Sequence, residues 1–451
     1  MNIVILGAGV VGSQIASQLV SEGHDVVVIE KNQERAKYVS NHVDCMVINE
    51  EGNNYDTLKR AGIEHADFFL SVVDSDEVNM IACGIVESEY KVPVKIARVR
   101  NLDYSKAKIF EKSFLGIDFI VNPEVETSRL IANTVALGAT SDVMLFDNTD
   151  MQIRSYNVDS RSFFKGKLLK DIRSAARLKD KFLIAGIVRE NEFIIPTGLT
   201  KIEENDNLYL FAAKNTLTKI FIETGKKREK IDRIIIVGGG RIGRLVAKYL
   251  IRTGRRITVI DSDYEVCKSI AEKFKDALVI HSDISDENIF EDEQLHTYDL
   301  IITTTSDEEL NILSAAYAKN LGIRRAIAVV NRPNYIPISS KLGIDVTVSP
   351  RHSTVSAIMK YIRRGDIKNI HSLFYGKAEV IEFSINDKSI LIGKSLKEIT
   401  LPPETLILTV IRNGVNEIPD GQFKINAGDT VITIAKQVAI QELEEVFLME
   451  Q

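Results

Sequence analysis

The chain has 451 residues, of which 45% are apolar and 27% are charged, and its formal net charge is −6. This length allows three or four domains, and the apolar content excludes a mostly disordered chain. The mild acidic excess argues against a protein that wraps nucleic acid, because such proteins usually carry a strong basic excess. Three dispersed cysteines without a C-x-x-C pair argue against a disulfide framework or a zinc site, and they fit a reducing compartment.

The chain begins directly with a strand-like apolar run and shows no basic segment followed by an apolar stretch. We therefore expect no signal peptide. No uninterrupted apolar run reaches about 18 residues, so we also expect no membrane-spanning helix. A protein of this kind would serve a membrane only from the cytoplasmic side.

The first predicted element is a buried parallel strand at residues 3–6, and a glycine-rich loop and a helix at residues 13–21 follow it. Gly7 permits a tight turn, Gly9 lets a pyrophosphate approach the backbone, and Gly12 lets the helix pack closely on the strand. This pattern predicts a dinucleotide-binding loop at a helix N-terminus, which favours anions. The other loop positions predicted to touch the ligand are Ala8, Val10 and Val11.

The second predicted strand, residues 25–29, ends at Glu30, where a carboxylate can accept a hydrogen bond from a ribose 2′-OH. The same group would repel a 2′-phosphate, so NAD(H) is favoured over NADP(H). Later strands predict further contacts at their carboxyl ends, with helix caps or solvated turns as the alternative for each. These residues are Glu51, Val73, Asp74 and Arg98. Asn79 and its later counterpart Asn311 fit either a helix cap or a ligand contact.

The whole pattern recurs at an offset of 231 residues, which pairs Gly7, Gly9 and Gly12 with three later glycines and Glu30 with a later aspartate. The second predicted site comprises Gly238, Gly239, Gly240, Arg241, Ile242, Gly243, Asp261, Asp283, Thr304 and Thr305. Val329 stands where the first copy has Arg98, so the two sites differ chemically.

The repeat continues into two smaller units that have hairpin signals, such as Asn413-Gly414. The sequence therefore predicts an α/β protein with two Rossmann-like, doubly wound parallel sheets, each followed by a small α+β domain. The predicted domains are residues 1–137, 142–226, 231–365 and 370–451, and the charged segment 225–230 is expected to be a solvated linker.

One helix after the second glycine-rich half carries an apolar stripe at i, i+3, i+4 and i+7. The stripe consists of Val355, Ile358, Met359 and Ile362. It can pack on the sheet of its own half, or it can form a contact with another domain or subunit.

Two glycine-rich halves, each with an acidic strand end, a D/E-E-x-N segment and a G-I-D element, alternate with small units. This arrangement resembles the tandem regulators of K⁺ conductance (RCK or KTN domains) that form peripheral subunits of Trk-type potassium uptake systems. The resemblance covers essentially the whole chain. It implies binding of NAD(H), and in some such proteins of ATP or ADP. The positions that match the first nucleotide site are Gly7, Gly9, Gly12, Glu30, Glu51, Asp74 and Arg98, and those that match the second are Gly238, Gly240, Gly243, Asp261 and Asp283. The resemblance also implies a homo-oligomeric ring, from dimer to tetramer, that gates a membrane K⁺-translocating subunit of the TrkH or TrkG type from the cytoplasmic face.

Two other function classes stay open. An NAD-dependent oxidoreductase would need a recurring proton donor, yet none of the seven histidines recurs in both halves. An NADH-sensing DNA-binding regulator would need a basic recognition helix, and the concentrated basic run is residues 226–230. We therefore predict a nucleotide-sensing regulator and not an enzyme, without a metal site, a nucleic-acid partner or a catalytic residue.

Overall fold

The computed structural model describes residues 1–106, 115–136, 138–139, 143–146, 149–175, 181–190, 192–224, 231–286, 288–362, 367–373 and 377–449. The predicted linker at 225–230 lies outside these residues. Contacts divide the chain into two compact units, each of which combines corresponding parts of the two sequence repeats. The first unit is Met1–Ser141 with Lys230–Ile362, and the second is Asp142–Glu229 with Arg363–Gln451.

The first predicted glycine-rich domain forms a parallel sheet with the strand order β3-β2-β1-β4-β5-β6 within the described residues. Its strands are short β-branched and aromatic runs, as is typical of a sheet covered by helices on both faces. The strands are β1 Asn2–Leu6, β2 Asp25–Ile29, β3 Met46–Ile48, β4 Phe68–Ser71, β5 Val94–Arg98 and β6 Phe119–Val121. The helices are α1 Val10–Ser21, α2 Gln33–His42, α3 Tyr55–Arg60, α4 Asp76–Glu89, α5 Leu102–Lys106 and α6 Pro123–Ala136.

The small domain that follows is an antiparallel sheet with the order β10-β9-β11-β8-β7 over its described part. Its strands are β7 Val143–Leu145, β8 Met151–Asn157, β9 Leu183–Arg189, β10 Glu192–Ile194 and β11 Asn207–Ala213. Its helices are α7 Leu169–Ala175 and α8 Lys214–Glu223.

The second half repeats both domains, with sheet orders β14-β13-β12-β15-β16-β17 and β18-β19-β22-β20-β21 in the residues described. The parallel domain has strands β12 Arg233–Val237, β13 Arg256–Asp261, β14 Ala277–His281, β15 Leu300–Thr303, β16 Arg325–Val329 and β17 Val346–Val348. Its helices are α9 Arg241–Ile251, α10 Tyr264–Lys273, α11 Ile289–Asp292, α12 Glu308–Asn320, α13 Tyr335–Lys341 and α14 Pro350–Ile362. The small domain has β18 Ile367–Leu373, β19 Ala378–Ser384, β20 Thr405–Arg412, β21 Val415–Glu417, β22 Thr430–Lys436 and α15 Ile440–Leu448. The predicted fold class is confirmed.

Within the first unit the two parallel domains exchange their last helices. The apolar stripe of α14 lies in one core with Ile15 and Leu19 of α1, although α14 follows the second sheet in the chain. Tyr361 of α14 stacks on Phe119 of β6 with ring centroids 4.4 Å apart. The stripe is therefore an interdomain contact, and packing on its own sheet is the wrong alternative.

The reciprocal exchange involves α6, which follows the first sheet. Its buried residues Ile131 and Val135 share a core with Val246 and Leu250 of α9 in the second parallel domain. Both exchanged helices begin at a proline, Pro123 for α6, and they also contact each other. Proline suits the first turn of a helix, where its missing N–H costs no hydrogen bond.

The second unit joins the two small domains through a common apolar core. Phe193 and Phe211 of the first domain lie in one cluster with Val380, Leu408 and Ile432 of the second. Because the strands alternate inward and outward side chains, one face of each sheet faces the other domain and the opposite face carries its own helices.

The exchange predicts that a change in α14 weakens the first parallel domain. We expect Ile358→Ala to lower the local free energy of unfolding by about 2–5 kcal/mol, because it leaves a cavity at a fully buried site. Native-state hydrogen exchange of the β1 amides measures this, since a chain of several domains need not unfold in one step. Ser356→Ala, on the exposed face of α14, is the matched control. Unchanged β1 protection in Ile358→Ala would show that α14 supports only its own half.

Candidate functional site

The two glycine loops lie at the carboxyl edge of each parallel sheet, after β1 and after β12. In each sheet the strand order reverses here, because β1 lies between β2 and β4, and β12 lies between β13 and β15. Open α/β sheets bind ligands in the crevice at such a reversal point. Val10 and Val11, and likewise Arg241 and Ile242, form the first helical turn directly after the loop.

In the first loop the fold itself requires only two of the three motif glycines. Gly7 has a φ of +109°, which side chains rarely adopt, and a Cβ on Gly12 would lie 1.9 Å from the Gly7 oxygen. Gly9 has an ordinary φ of −64° and an open surrounding, since a Cβ there would meet only the guanidinium of Arg35 at 3.9 Å. The fold would therefore tolerate a side-chain carbon at Gly9, and with glycine this space beside the backbone is empty.

The second loop repeats this geometry. Gly238 has a φ of +93°, a Cβ on Gly243 would lie 1.9 Å from the Gly238 oxygen, and a Cβ on Gly240 would meet nothing within 4 Å. Gly239 differs from its counterpart Ala8, because a Cβ there would lie 2.4 Å from a side-chain carbon of α10. The open place beside the helix N-terminus thus occurs in both copies, and free first-turn N–H groups there favour an anion.

The predicted acidic residues stand against their own glycine loops. Glu30 is buried, and its carboxylate accepts hydrogen bonds from the backbone N–H of Ala8 at 2.7 Å and of Asn32 at 2.8 Å. Asp261 accepts one from the N–H of Gly239 at 2.6 Å. These contacts give each acid a role in fixing the loop that the sequence pattern does not indicate. A carboxylate has about four acceptor positions, so two bonds leave room for ribose hydroxyls.

Arg98 and Asp74 meet at the same edge of the first sheet. Nη1 of Arg98 lies 3.1 Å from the Asp74 carboxylate, and it also approaches the Val73 carbonyl oxygen at 3.4 Å. The Arg98 Nε is buried and has no hydrogen-bond partner within the described part of the chain. A buried guanidinium nitrogen without an acceptor is costly, so an acceptor that reached it would be stabilising.

In the second copy the side chains after the fourth strand already donate hydrogen bonds within the protein. The pairing of β1 with β4 and of β12 with β15 places Thr304 and Thr305 at the positions of Val72 and Val73, so the counterpart of Asp74 is Ser306. The Thr304 hydroxyl donates to a loop carbonyl oxygen at 2.8 Å, and the Thr305 hydroxyl donates to a side-chain amide oxygen of α12 at 2.8 Å.

Asn79 and Asn311 are neither helix caps nor surface ligands. The fully buried side chain of Asn79 accepts from the Val73 N–H at 2.9 Å and donates to the Arg98 carbonyl oxygen at 2.8 Å, and Asn311 makes the equivalent bridge. The cap of α4 is Ser75. Each asparagine therefore links the carboxyl ends of two neighbouring strands.

Glu51 and Asp283 follow the third strand of the first and of the second parallel domain. Glu51 is exposed, and its carboxylate is 3.8 Å from the ammonium of Lys31. Asp283 accepts hydrogen bonds from the N–H of Ser285 at 2.9 Å and from its hydroxyl at 2.8 Å, and these bonds lower the pKa of the Asp283 carboxyl. Their roles as ligand contacts stay predictions.

The exchanged helix α6 contributes residues to the second glycine loop that the sequence pattern does not reveal. The Glu124 carboxylate lies 3.6 Å from the guanidinium of Arg241, and Ser128 donates to the Ile242 carbonyl oxygen at 3.2 Å. The other Glu124 oxygen is buried without a partner in the described residues. The sequence marks the start of each exchanged helix with a proline, but it does not indicate which glycine loop the helix contacts.

Two kinds of chemical group bear on catalysis in the described residues: metal-ligand clusters and the thiol beside the second glycine loop. No three histidine, cysteine or acidic side chains among them are placed to share a metal ion. Burial, with the nearby Asp261 carboxylate, raises the pKa of the Cys267 thiol, which makes it a poor nucleophile. Over the same residues, no helix combines the length and apolar character needed to cross a bilayer.

The glycine geometry separates folding from binding. We expect Gly12→Ala to lower the free energy of unfolding by about 1–3 kcal/mol or more, because its Cβ would overlap the Gly7 oxygen. We expect Gly9→Ala to leave it within about 0.5 kcal/mol of the original value. Native-state hydrogen exchange of the β1 and α1 amides in both variants measures the difference. A large loss in Gly9→Ala would mean that the open place beside Gly9 serves the fold.

Two family models each match the chain twice. The TrkA-N domain matches residues 3–123 and 234–350, and the TrkA-C domain matches residues 153–221 and 380–448. Similar proteins are the Trk system potassium uptake protein TrkA of Azorhizobium caulinodans, 32% identical, and that of Haemophilus influenzae, 31% identical. Each alignment covers 99% of this chain and 98% of the relative.

Solved structures agree on the fold. The GsuK channel bound to NAD has a TM-score of 0.59 at 19% identity, over 99% of this chain and 79% of that one. The GsuK RCK domain has a TM-score of 0.58 at 20% identity, over 99% of this chain and 95% of that one. Two TrkA-N and two TrkA-C domains in alternation, with full-length relatives above 30% identity, establish that the chain belongs to the family of the Trk system potassium uptake protein TrkA.

Proposed function

We propose that the protein is the nucleotide-sensing regulatory subunit of a Trk-type potassium uptake system, acting at the cytoplasmic face of the membrane. The observation that carries this proposal is the open place beside Gly9 and Gly240, because the fold does not require glycine there and a phosphate-bearing ligand does. Membership of the TrkA family supports the link to potassium transport.

NAD(H) is the ligand that we assign to the first site. The buried Glu30 carboxylate stands where a ribose hydroxyl can donate to it, and it disfavours a 2′-phosphate. Arg98, with its unpartnered Nε, supplies positive charge at the opposite side of the crevice. The NAD-bound GsuK channel, which has the same fold, is consistent with this assignment.

The second site has a different charge balance, so we propose that it also accepts other nucleotides such as ATP or ADP. Val329 replaces the guanidinium of Arg98, and Arg241 in the loop supplies the cation instead. The Arg241 side chain is 65% exposed, and its contact with Glu124 is long, at 3.6 Å. The guanidinium can therefore turn toward a phosphate. The site residues Gly238–Gly243 and Asp261 would hold the loop and ribose side of the ligand.

Regulation would follow from a difference in nucleotide affinity between two shapes of a homo-oligomeric ring. A tenfold difference at one site is worth about 1.4 kcal/mol, and several sites in one ring add to a decisive bias. A nucleotide with equal affinity for both shapes shifts nothing. The ring would dock on a membrane K⁺-translocating subunit of the TrkH or TrkG type, and no chemical reaction is required of the bound nucleotide.

An exposed apolar surface on the second parallel domain supports assembly with further copies. Side chains of α12, α13 and the turns after them present large apolar groups to solvent. They are Leu313, Tyr317, Leu321, Ile338 and Leu342. Monomeric proteins rarely expose many such groups together, and their burial is a common driving force of association.

Calorimetric titration with NADH tests the nucleotide proposal. We expect Gly9→Ala to remove one site per chain, because its Cβ would occupy the space needed by the pyrophosphate, while the fold remains intact. Gly240→Ala should remove the second site if NADH fills both. Glu64→Gln, which changes an exposed side chain at the opposite edge of the first sheet, is the control. Undiminished NADH binding by both glycine variants would contradict the proposal.

A second titration tests the role of Glu30. We expect Glu30→Gln to weaken NADH binding at least tenfold, because the neutral amide accepts hydrogen bonds from ribose less well. The preference for NADH over NADPH should narrow at the same time, because the repulsion of the 2′-phosphate is lost. An unchanged preference for NADH would mean that Glu30 only anchors the loop through Ala8.

A further inference from the structure

The two small domains share a guanidinium–carboxylate pair. In the first, Nε and Nη2 of Arg189 each donate to Asp206 at 2.8 Å. In the second, the same atoms of Arg412 donate to Asp429 at 2.8 and 2.7 Å. Both carboxylates are fully buried, and the charge pair raises the pKa of each arginine. Each guanidinium is therefore held in one orientation before any further group approaches it.

The two domains differ at the third nitrogen of this arginine. Nη1 of Arg189 donates to the carboxylate of Glu203 at 2.8 Å. An offset of 223 residues, which pairs Arg189 with Arg412, pairs Glu203 with Asn426. Within the described residues, Nη1 of Arg412 has no acceptor. The second small domain thus has the arginine donor but lacks the carboxylate that accepts its hydrogen bond in the first small domain.

Most of the surrounding charges change in the same sense, since three carboxylates of the first domain, Glu190, Glu203 and Glu204, correspond to Asn413, Asn426 and Ala427 in the second. One carboxylate is gained, because Glu417 stands at the position of Ile194 and its charge also acts on Arg412. A cavity of about 140 Å³ lies at this place, and its walls are Arg412, Asn413, Asn426, Ala427, Gly428 and Asp429. The ring of Phe423 covers one face of the guanidinium, with the guanidinium carbon 4.8 Å from the ring centroid.

We propose that this cavity binds the carboxylate group of a small acidic ligand, with Nη1 of Arg412 as the principal donor. The first domain shows the geometry in its own chain, because Glu203 places a carboxylate oxygen 2.8 Å from the equivalent nitrogen. Arginine–carboxylate hydrogen bonds are among the strongest in proteins, and a fixed guanidinium loses little entropy when it forms one. The side-chain amides of Asn413 and Asn426 stand beside the same opening and can donate to the second oxygen.

Calorimetric titration with succinate at constant ionic strength tests this site in the full-length protein. We expect one succinate per chain, and at least a tenfold loss of affinity in Asn426→Glu, because the new side chain would supply the carboxylate internally. Asn426→Gln, which keeps an amide, should retain binding. The reciprocal variant Glu203→Asn should gain a second succinate site, because it exposes Nη1 of Arg189.

The succinate titrations distinguish a carboxylate site beside Arg412 from a phosphate site and from the absence of a site. Equal succinate affinity in the original chain and in Asn426→Glu, or no binding to the original chain, would overturn it. Inorganic phosphate that binds where succinate does not would overturn the carboxylate class. Thermal unfolding of each variant shows that the domain is intact, and the test is independent of nucleotide binding in the first unit. Gain of a site in Glu203→Asn supports the proposal even if Asn426→Glu fails to fold.

Discussion

The exchange of two helices between the parallel domains is the packing constraint on which the first unit depends. Four apolar side chains of α14 are buried in the core of the first domain, and α6 fills the equivalent place on the second. At about 1.5–3 kcal/mol for each buried side chain, one stripe contributes as much as the net stability of a typical domain. Neither parallel domain therefore completes its core with its own chain segment, and the crevice beside each glycine loop belongs to a structure that the other half helps to build.

The exchange also brings the two halves into direct contact at the second glycine loop, which precedes α9. Glu124 and Ser128 lie on the helix that closes the first half, yet they contact Arg241 and Ile242 at the start of α9. A rearrangement of this loop has to move those contacts, and with them the helix that links the two cores. The Glu124–Arg241 and Ser128–Ile242 contacts therefore connect the second glycine loop directly to a helix that closes the first half.

The repeated glycine motif was enough to predict the fold, because three glycines, a strand and an acidic residue at fixed spacing have few other solutions. The helix exchange was not predictable in the same way. The stripe of α14 reveals an apolar face, but a period of 3.6 residues carries no information on which sheet covers it. Asn79 likewise fitted either a helix cap or a ligand contact from the sequence alone. Only the distance between two strand ends shows that it bridges them.

Duplication within one chain removes a restriction that a symmetric dimer would impose. In a homodimer each substitution appears on both sides of the axis, so a residue needed at one place cannot be lost at the other. Here Arg98 persists in one crevice while Val329 occupies the other, and Glu203 satisfies one arginine while Asn426 leaves its counterpart open. In both comparisons the framework contacts, the asparagine bridges and the arginine–aspartate pairs, are the same in the two copies. The two copies differ in the charged residues that face the glycine-loop crevices and the cavity beside Arg412. Such differences allow two sites of the same fold to prefer different ligands.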